Sequence, residues 1–400
     1  MRRLLRRLPV GLLLAALVTC APQEAPVVSP APSGASPEIR IGLLVGASRV
    51  TVAGDSGLTL LNADGETTAR LDPGATWQAR LDGPPLLSFV PPPGGLVSLN
   101  GHRYRGRLTV VRDRSGFTAI NVVRVEDYLP GVVAAEMGRR DSSDAEALAA
   151  QAIVSRTYAI RNLGKWASEG FDLLPTVVDM AYGGVDAEYP LARQAVARTA
   201  GQVLTWQGVP IDAFFFSTCA GRTANGTEVF AGADRPYLTS ISDLDPNGEP
   251  YCRLSPRFRW HEEWSAAELR AVLRQSLPGA TAVAPGEVDE IRDVEVTRRT
   301  ASDRVAEISV TLGARSVDVD GPAVRQVLHP VDQTVLRSAI FRLRADRDGQ
   351  RLTRLIADGA GAGHGVGFCQ WGAVGRARQG QDAATILAAY FPGTSLDRAY

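Results

Sequence analysis

Glu136 is the side chain in this sequence that is best suited to exchange a proton. Four apolar residues at 132–135 come before it, and Met137 follows it. A carboxyl group in such surroundings is hard to ionise, so its pKa rises. A raised pKa suits a general acid that works near neutral pH. The alternative is an ordinary surface glutamate on a helical turn.

Two further segments carry groups suited to ligand contact. A strand-like run at 214–216 leads into the turn STCAG at 217–221, which would present hydroxyl groups and backbone amides. A glycine-rich run at 361–372 holds His364, Gln370 and Trp371, whose hydrogen-bonding groups and aromatic face suit sugar recognition. Dense glycines let backbone pass close to a ligand. The competing interpretations are a capped hairpin end and a tight turn under a helix.

Helices and strands must position these groups, and the sequence predicts both. Strand patterns dominate residues 38–123, and the capping box Ser143-x-x-Glu146 predicts an alanine-rich helix that stops before Gly164. A second capping box, Ser265-x-x-Glu268, predicts another helix. Other predicted elements are helices at 190–199, 370–378 and 383–390, a hairpin of 203–206 with 209–217, and strands at 291–296 and 305–312. Because strands and helices do not alternate regularly, the mixture indicates an α+β fold.

Composition and charge exclude several functions. The chain has 400 residues with 43 basic and 43 acidic side chains, so it lacks the basic excess of a dedicated nucleic-acid binder. It contains no P-loop, dinucleotide-binding glycine motif, HExxH or GxSxG sequence. None of the four histidines stands at i, i+4 from another, which excludes a helical zinc pair. We therefore expect no cofactor and no nucleic-acid partner.

The N-terminus has the features of an export signal. Arginines at positions 2, 3, 6 and 7 precede an apolar run at 8–18, which is too short to span a bilayer. A signal peptide is therefore predicted at 1–20. Its end, LVTC at 17–20, is similar to a bacterial lipobox, which makes Cys20 the expected lipidation site; plain secretion is the alternative. A proline-rich tether follows at 21–37. The expected location is the cell envelope, with the lipid anchor as the only membrane attachment.

The remaining cysteines, Cys219, Cys252 and Cys369, leave two interpretations open. Disulfides persist outside the cytoplasm, and a Cys219–Cys252 bridge would hold the turn after residue 216 and leave Cys369 as a buried thiol. The rival is a metal or thiol site that also recruits Cys369 and His364, although no recognised metal-ligand spacing is present. We predict the disulfide and no metal ion.

Several segments, taken in order, give the chain a resemblance to the SpoIID/LytB family, which includes stage II sporulation protein D. They are EDYLPGVVAAEM (126–137), EALAAQAIVSRTYA (146–159), YGG (182–184), STCAGRT (217–223), PYL (236–238), GHGVGFCQWGA (363–373) and YFPG (390–393). The resemblance covers residues 40–400 and implies a SpoIID-like catalytic domain at 121–400 behind a β-rich N-terminal module at 38–120. The link that contains GRRDSS at 138–143 departs from the family pattern.

The resemblance implies an enzyme, because family members with activity are lytic transglycosylases of peptidoglycan glycan strands. It assigns Glu136 as the acid that protonates the glycosidic oxygen. Its carboxylate then takes the proton of the muramyl C6 hydroxyl, which attacks C1 and leaves a 1,6-anhydro end. The residues expected to contact the substrate are Arg156, Tyr182, Ser217, His364 and Gln370.

The choice between a transglycosylase and a hydrolase depends on a second carboxylate, which a hydrolase usually needs. Glu126, Asp127 and Glu228 are the candidates, and a structural role suits each of them better. The LytB side of the resemblance implies a different function, that of a non-catalytic protein that binds peptidoglycan and stimulates a cell-wall amidase. Peptidoglycan is the expected partner under both interpretations.

Overall fold

The structure, a computed structural model, describes residues 34–400. The predicted signal peptide, the lipidation site Cys20 and the tether up to residue 33 lie outside the described residues. Helices and strands are both abundant, and the N-terminal region is rich in strands, which confirms the α+β prediction. No helix within residues 34–400 combines the length and apolar character that a membrane crossing requires.

Ten strands form the N-terminal region. They are β1 (Glu38–Ala47), β2 (Thr51–Gly54), β3 (Leu58–Leu61), β4 (Thr67–Leu71), β5 (Thr76–Gln78), β6 (Leu86–Val90), β7 (Val97–Leu99), β8 (His102–Tyr104), β9 (Arg107–Asp113) and β10 (Gly116–Arg124). They make two antiparallel sheets, in the orders β1-β10-β9-β6-β3-β4 and β5-β2-β7-β8. Strand β10 is buried on both faces: Ala119 and Val123 belong to the main core, whereas Ile120 and Val122 pack with Phe171.

Three helices follow at the centre of the molecule, α1 (Val125–Met137), α2 (Ala145–Arg161) and α3 (Pro190–Arg198). Helix α2 is buried continuously over residues 147–160, and α1 and α3 pack against it. Its alanine-rich sequence explains this position, because a helix that is apolar all round belongs in the interior and small side chains let its neighbours approach.

The capping box predicted at Ser143 does not form. Asp144 is the N-cap of α2 but makes no side-chain cap bond, and the Ser143 hydroxyl donates instead to the Asp141 carboxylate in a preceding 3-10 turn. Glu146 forms an ion pair with Arg198 at 2.7 Å rather than reaching back to the helix start. The helix begins at Ala145, so Ser143 stands before the N-cap position and Glu146 stands at N2 instead of the N3 position that a capping box requires.

The predicted hairpin is shorter than expected. Strands β11 (Gln202–Trp206) and β12 (Val209–Pro210) pair antiparallel, but β12 ends at Pro210, which has no N–H to continue the ladder. Within the rest of the predicted strand, only Phe215–Phe216 form a strand, β13, and it belongs to a different sheet.

A second unit with its own core follows. Its elements are β14 (Arg259–Ser265), α4 (Ala266–Ala280), β15 (Ile291–Arg299), β16 (Val305–Leu312), β17 (Arg315–Asp320), α5 (Ala323–Val327), β18 (Phe341–Asp348) and β19 (Arg351–Ala360). Helix α4 begins at the predicted capping box, in which Ser265 and Glu268 bond reciprocally. The apolar side chains of this unit, among them Trp264, Ile308 and Leu355, form a cluster apart from the main core. The range 121–400, expected as one domain, therefore holds two cores.

The chain then returns to the main core through β20 (Phe368–Cys369), α6 (Gln370–Arg378), α7 (Ala383–Tyr390) and β21 (Ser395–Arg398). Both helices have the predicted bounds. Strand β20 pairs in parallel with β13, with Phe215 opposite Phe368, and this pairing brings the turn after residue 216 beside the start of α6. The main core contains Ile39 as well as Phe391, so the N-terminal module shares its core with the helices.

Candidate active site

Glu136 stands in the last turn of α1 and lines a cleft of the main unit. The helix ends at Met137, and Gly138 adopts a φ of 66°, a conformation that favours glycine and turns the chain away. Glu136 is half-buried, with the exposed Ala135 before it and the buried Met137 after it. The helix end thus presents the carboxyl group to the cleft while most of α1 stays in the core.

Both oxygens of Glu136 accept hydrogen bonds. The backbone N–H of Ala181 donates to Oε1 at 2.6 Å, and the side-chain amide of Gln370 donates to Oε2 at 3.3 Å. Burial raises the pKa of Glu136, and these two bonds offset only part of the effect, so its pKa lies above the ordinary value. The carboxyl group therefore holds its proton at a higher pH than an exposed glutamate does.

A chain of amides connects Glu136 to the interior. Gln370 Nε2 also lies 3.4 Å from Gln151 Oε1, and Gln151 Nε2 donates to the Ser155 hydroxyl at 2.9 Å. Gln151 and Ser155 are fully buried on α2. Sequence reasoning missed Gln151, although a glutamine amid the alanines of a buried helix was the available signal, because buried polar groups require partners.

The cleft has a volume of about 900 Å³, and aromatic side chains form much of its wall. Those side chains are Tyr158, Phe214, Phe215, Phe216, Phe230 and Trp371. The size and the apolar walls with a few convergent polar groups are typical of a site for an organic ligand. Of the residues that the sequence proposed, the structure brings Glu136, Ser217, His364 and Gln370 together here.

His364 lies in the cleft as a neutral ring with both nitrogens engaged. Its Nδ1 accepts from the Val366 N–H at 3.2 Å, and its Nε2 donates to the Phe215 carbonyl at 2.8 Å. Burial lowers the pKa of His364 to about 4. The ring packs against Phe216 and Phe230, with centroids 5.3 and 5.1 Å away. His364 is therefore an aromatic wall of the cleft and has no nitrogen left for proton transfer.

Trp371 and Arg140 form a stacked pair on the cleft wall. The Arg140 guanidinium lies 4.1 Å from the centroid of the Trp371 ring, a cation–π contact. The backbone N–H of Trp371 donates to the Ser217 carbonyl at 3.0 Å, which ties the start of α6 to the turn after β13. Arg140 comes from the link at 138–143, so this link contributes directly to the cleft.

Asp179 is the other acidic residue that lines the cleft, but its carboxylate is already occupied. Its side chain is fully buried and accepts from Lys165 and Tyr158 through Oδ1 and from Trp166 and the Leu174 N–H through Oδ2. Burial alone would raise the pKa of Asp179, but the bonds from Lys165, Leu174 and Trp166 bring it below the ordinary value. Asp179 thus holds the cleft wall together as a charged, fully bonded group.

Arg156, predicted to contact the substrate, does not face the cleft. Its side chain is 0% exposed and forms a bidentate pair with Glu126, at 2.7 and 2.9 Å. It also donates to the carbonyls of Val196 and Gln202. Arg156 therefore joins α1, α2, α3 and the start of β11, since a buried guanidinium needs several acceptors.

Tyr182 also lies away from the cleft lining. Its ring is buried against Tyr128, with centroids 4.6 Å apart, and its hydroxyl donates to Asn121 at 3.1 Å. The neighbouring residue, Ala181, supplies the amide that bonds Glu136. The backbone directly before the YGG segment thus reaches the site, and the buried Tyr182 anchors that backbone.

The cysteines do not form the predicted disulfide. Cys219, Cys252 and Cys369 are free and buried, and the Sγ atoms of Cys219 and Cys252 lie 3.6 Å apart. A disulfide bond measures about 2.05 Å. His364, the fourth member of the rival site, is bonded elsewhere, and the group beside the three sulfurs is the carboxylate of Asp243.

Two family models match this chain. The model described as Stage II sporulation protein matches residues 113–206, the segment that carries β10, α1, α2 and Glu136. A model described as Domain of unknown function (DUF8618) matches residues 252–367, which contain the unit with the separate core.

Relatives of this chain match over most of its length. Stage II sporulation protein D of Bacillus subtilis is 30% identical over 301 residues, 72% of this chain and 78% of that protein. An uncharacterized protein of Brachyspira hyodysenteriae is 29% identical over 300 residues, 75% of this chain and 73% of that protein. The amidase enhancer of Bacillus subtilis is 27% identical over 292 residues, 67% of this chain but 40% of that protein. These matches confirm the resemblance that the sequence motifs indicate.

Proposed function

This chain belongs to the stage II sporulation protein D family, and on that premise we propose that it is a lytic transglycosylase of peptidoglycan glycan strands. One observation carries the proposal: Glu136, a half-buried carboxyl group with a raised pKa, lines an aromatic cleft. A group that keeps its proton near neutral pH can donate it to a leaving glycosidic oxygen.

The reaction needs one acid that acts twice. Glu136 donates its proton to the glycosidic oxygen, and the bond from that oxygen to the muramyl C1 breaks. The Glu136 carboxylate then takes the proton from the C6 hydroxyl as the C6 oxygen bonds to C1. The sugar ends in a 1,6-anhydro ring, Glu136 is protonated again, and no water is consumed.

The surroundings of Glu136 favour this reaction over hydrolysis, which normally requires a second carboxylate near the scissile bond. The only other acidic residue that lines the cleft within residues 34–400 is Asp179, whose carboxylate is fully bonded. The three candidates from the sequence lie elsewhere: Glu126 pairs with Arg156, Asp127 is exposed, and Glu228 bonds Asn225.

The cleft supplies binding groups that suit a glycan. Aromatic walls suit the apolar faces of sugar rings, and Ser217 and Gln370, which line the same cleft, carry groups that can bond sugar hydroxyl and acetamido groups. Arg140 and Arg257 also line the cleft and suit the carboxylate of a muramyl substituent.

The test is mass spectrometry of the products released from purified glycan strands by the purified chain. We expect fragments with 1,6-anhydromuramyl ends. Fragments with reducing muramyl ends would instead mean hydrolysis, and would contradict the proposal together with its single-acid mechanism. The absence of any cleavage under conditions in which a known lytic transglycosylase cuts the same strands would also contradict it.

A second function is supported by the similarity to the amidase enhancer of Bacillus subtilis. Under this alternative the cleft binds peptidoglycan without cutting it, and the bound protein stimulates a cell-wall amidase. An assay of a cell-wall amidase in the presence of the wild-type chain or of Glu136→Gln distinguishes the two functions. Stimulation that survives in the variant, with no glycan cleavage by either protein, would favour the enhancer.

Either function places the protein at the cell wall, and we propose that Cys20 carries a lipid anchor there. Two features support this anchor: the apolar run at 8–18, which Cys20 follows after one threonine, and the prolines that come after Cys20. Cys20→Ser is expected to release the protein from membrane fractions or to block its processing. Retention on membranes with a cleavage site elsewhere would contradict the anchor.

A further inference from the structure

A second group of reactive side chains lies in the main core, apart from the cleft. The sulfurs of Cys219, Cys252 and Cys369 and a carboxylate oxygen of Asp243 all lie within 4.8 Å of one another. All four residues are fully buried. Neither the acid chemistry at Glu136 nor the lining of the cleft uses any of them. A buried cluster of this kind needs an explanation of its own, because buried polar groups are costly without a partner.

The spacing within the cluster fits four ligands around one ion. Cys219 Sγ lies 3.6 Å from Cys252 Sγ and 3.1 Å from Asp243 Oδ2. Zn–S bonds of about 2.3 Å and Zn–O bonds of about 2.0–2.2 Å put tetrahedral ligands about 3.8 Å (S···S) and about 3.5 Å (S···O) apart. We propose that Cys219, Cys252, Cys369 and Asp243 bind a structural Zn²⁺ ion.

The backbone around the sulfurs is arranged as it is around metal-bound thiolates. Cys369 Sγ accepts from the N–H groups of Cys219 and Gly372, each at 3.2 Å, and Cys219 Sγ accepts from the Gly221 N–H at 3.4 Å. Such donors stabilise a negatively charged sulfur and orient it toward a metal. A side chain at Gly372 would collide with Asp243 and Tyr390, so the glycine allows the helix to approach the cluster.

Asp243 is held in place by groups on the opposite side. Arg376 Nε donates to its Oδ1 at 2.9 Å, and the Tyr390 hydroxyl lies 3.0 and 2.9 Å from its two oxygens. This support fixes the carboxylate orientation, as outer partners of metal ligands do. Arg376 also offsets part of the negative charge that three thiolates and a carboxylate bring to one ion.

The ligand set selects the metal. Thiolates favour Zn²⁺, Cu⁺ and iron–sulfur clusters, and a carboxylate oxygen among them favours Zn²⁺. Four protein ligands leave no open position, which is typical of a structural site and not of a catalytic one. The ion requires the cysteines as thiolates and competes with protons for them, so affinity is expected to fall at low pH.

The location of the cluster indicates what the ion does. Cys252 is the first residue of the range matched by the second family model, and Cys369 comes two residues after the end of that range. Cys219 belongs to the turn that follows β13. An ion held by all three cysteines would fasten both ends of the second unit, the one with its own core, to the main unit. It would also fix the start of α6, where Gln370 contacts Glu136.

The first experiment measures metal and thiols in the wild-type chain, purified without chelator and incubated with Zn²⁺. We expect one Zn²⁺ per chain by elemental mass spectrometry and its release when a mercurial reagent titrates the thiols. Substitution with Co²⁺ should give thiolate-to-metal charge-transfer bands. A chain that binds no Zn²⁺, or a Cys219–Cys252 linked peptide in a non-reducing digest, would overturn the proposal. Both outcomes are read on the folded wild type.

Variants then assign the ligands. Asp243→Asn and Cys252→Ser should lose tight Zn²⁺ binding, and Tyr390→Phe, which removes only a support of Asp243, should weaken it by about 10–100-fold. Tyr237→Phe is the matched control, because Tyr237 is also buried but bonds Asp212, outside the cluster. The assignment would be overturned if Zn²⁺ affinity stayed at the wild-type value in all three of the variants Asp243→Asn, Tyr390→Phe and Tyr237→Phe.

Discussion

Glu136 Oε2 lies 3.3 Å from the side-chain nitrogen of Gln370, although the two residues are 234 positions apart in the chain. The contact joins the last turn of α1 to the first residue of α6. It depends on the parallel pairing of β13 with β20, which places the start of α6 at the cleft. The proposed acid and the amide that donates to it therefore come from parts of the chain that are distant in sequence.

The first prediction concerns Glu136→Gln. The amide keeps the size of the side chain but carries no transferable proton, so glycan cleavage should fall by about 10²–10⁴-fold. Release of anhydromuramyl fragments measures the loss. Glu169→Gln is the control, since it makes the same chemical change at an exposed position. A folded Glu136→Gln protein with full activity would contradict the proposed mechanism.

The second prediction concerns pH. The reaction begins with protonated Glu136, and burial raises the pKa of this group above its ordinary value. Activity should therefore be retained above the pH at which an exposed glutamate ionises and should fall as the pH rises through the pKa of Glu136. His364 cannot cause this alkaline decline, because its pKa of about 4 keeps it neutral. A rate that rises steadily with pH would contradict the acid role.

The third prediction concerns Gln370→Leu. The amide of Gln370 lowers the pKa of Glu136, so its removal should raise that pKa and move the alkaline decline to higher pH. The Gln151 carbonyl loses its partner too, which should cost about 1–3 kcal/mol in the free energy of unfolding. The pH–rate profile and a denaturant titration measure the two effects.

Gln379→Leu provides the comparison for Gln370→Leu. Gln379 is exposed at the end of the same helix and bonds Asp245, away from the cleft. This variant should keep the wild-type pH profile. An identical profile in both variants would mean that Gln370 has no influence on the proton of Glu136.

The fourth prediction concerns Arg156→Met. The change leaves Glu126 without its buried partner, and loss of one member of a buried pair costs about 3–5 kcal/mol of unfolding free energy. Because the Glu126 side chain is 23% exposed, we expect the lower end, about 3 kcal/mol. Adding Glu126→Gln to Arg156→Met should restore part of the lost unfolding free energy. The KM of the folded variant should be unchanged; a stable variant with a large rise in KM would instead support a substrate contact.

The sequence by itself pointed to Glu136 and predicted most of the elements around it. Glu136 stood out because its neighbours along the chain are apolar, and burial does raise its pKa. The helix over 370–378 and the strand over 305–312 were predicted at their observed bounds, since their signals are local. The family resemblance rested on ordered motifs and is confirmed by the matched relatives.

Only the tertiary structure decided which of the motif residues meet at the cleft. Arg156 and His364 are both motif residues, yet one is paired inside the core and the other stands on the cleft wall. The sequence also did not decide whether the three cysteines form a disulfide or a metal site. Nothing near them in the sequence identifies Asp243 as their neighbour. Contacts between residues more than a hundred positions apart depend on strand pairing and core packing. Those interactions are long-range, so a local sequence pattern does not predict them.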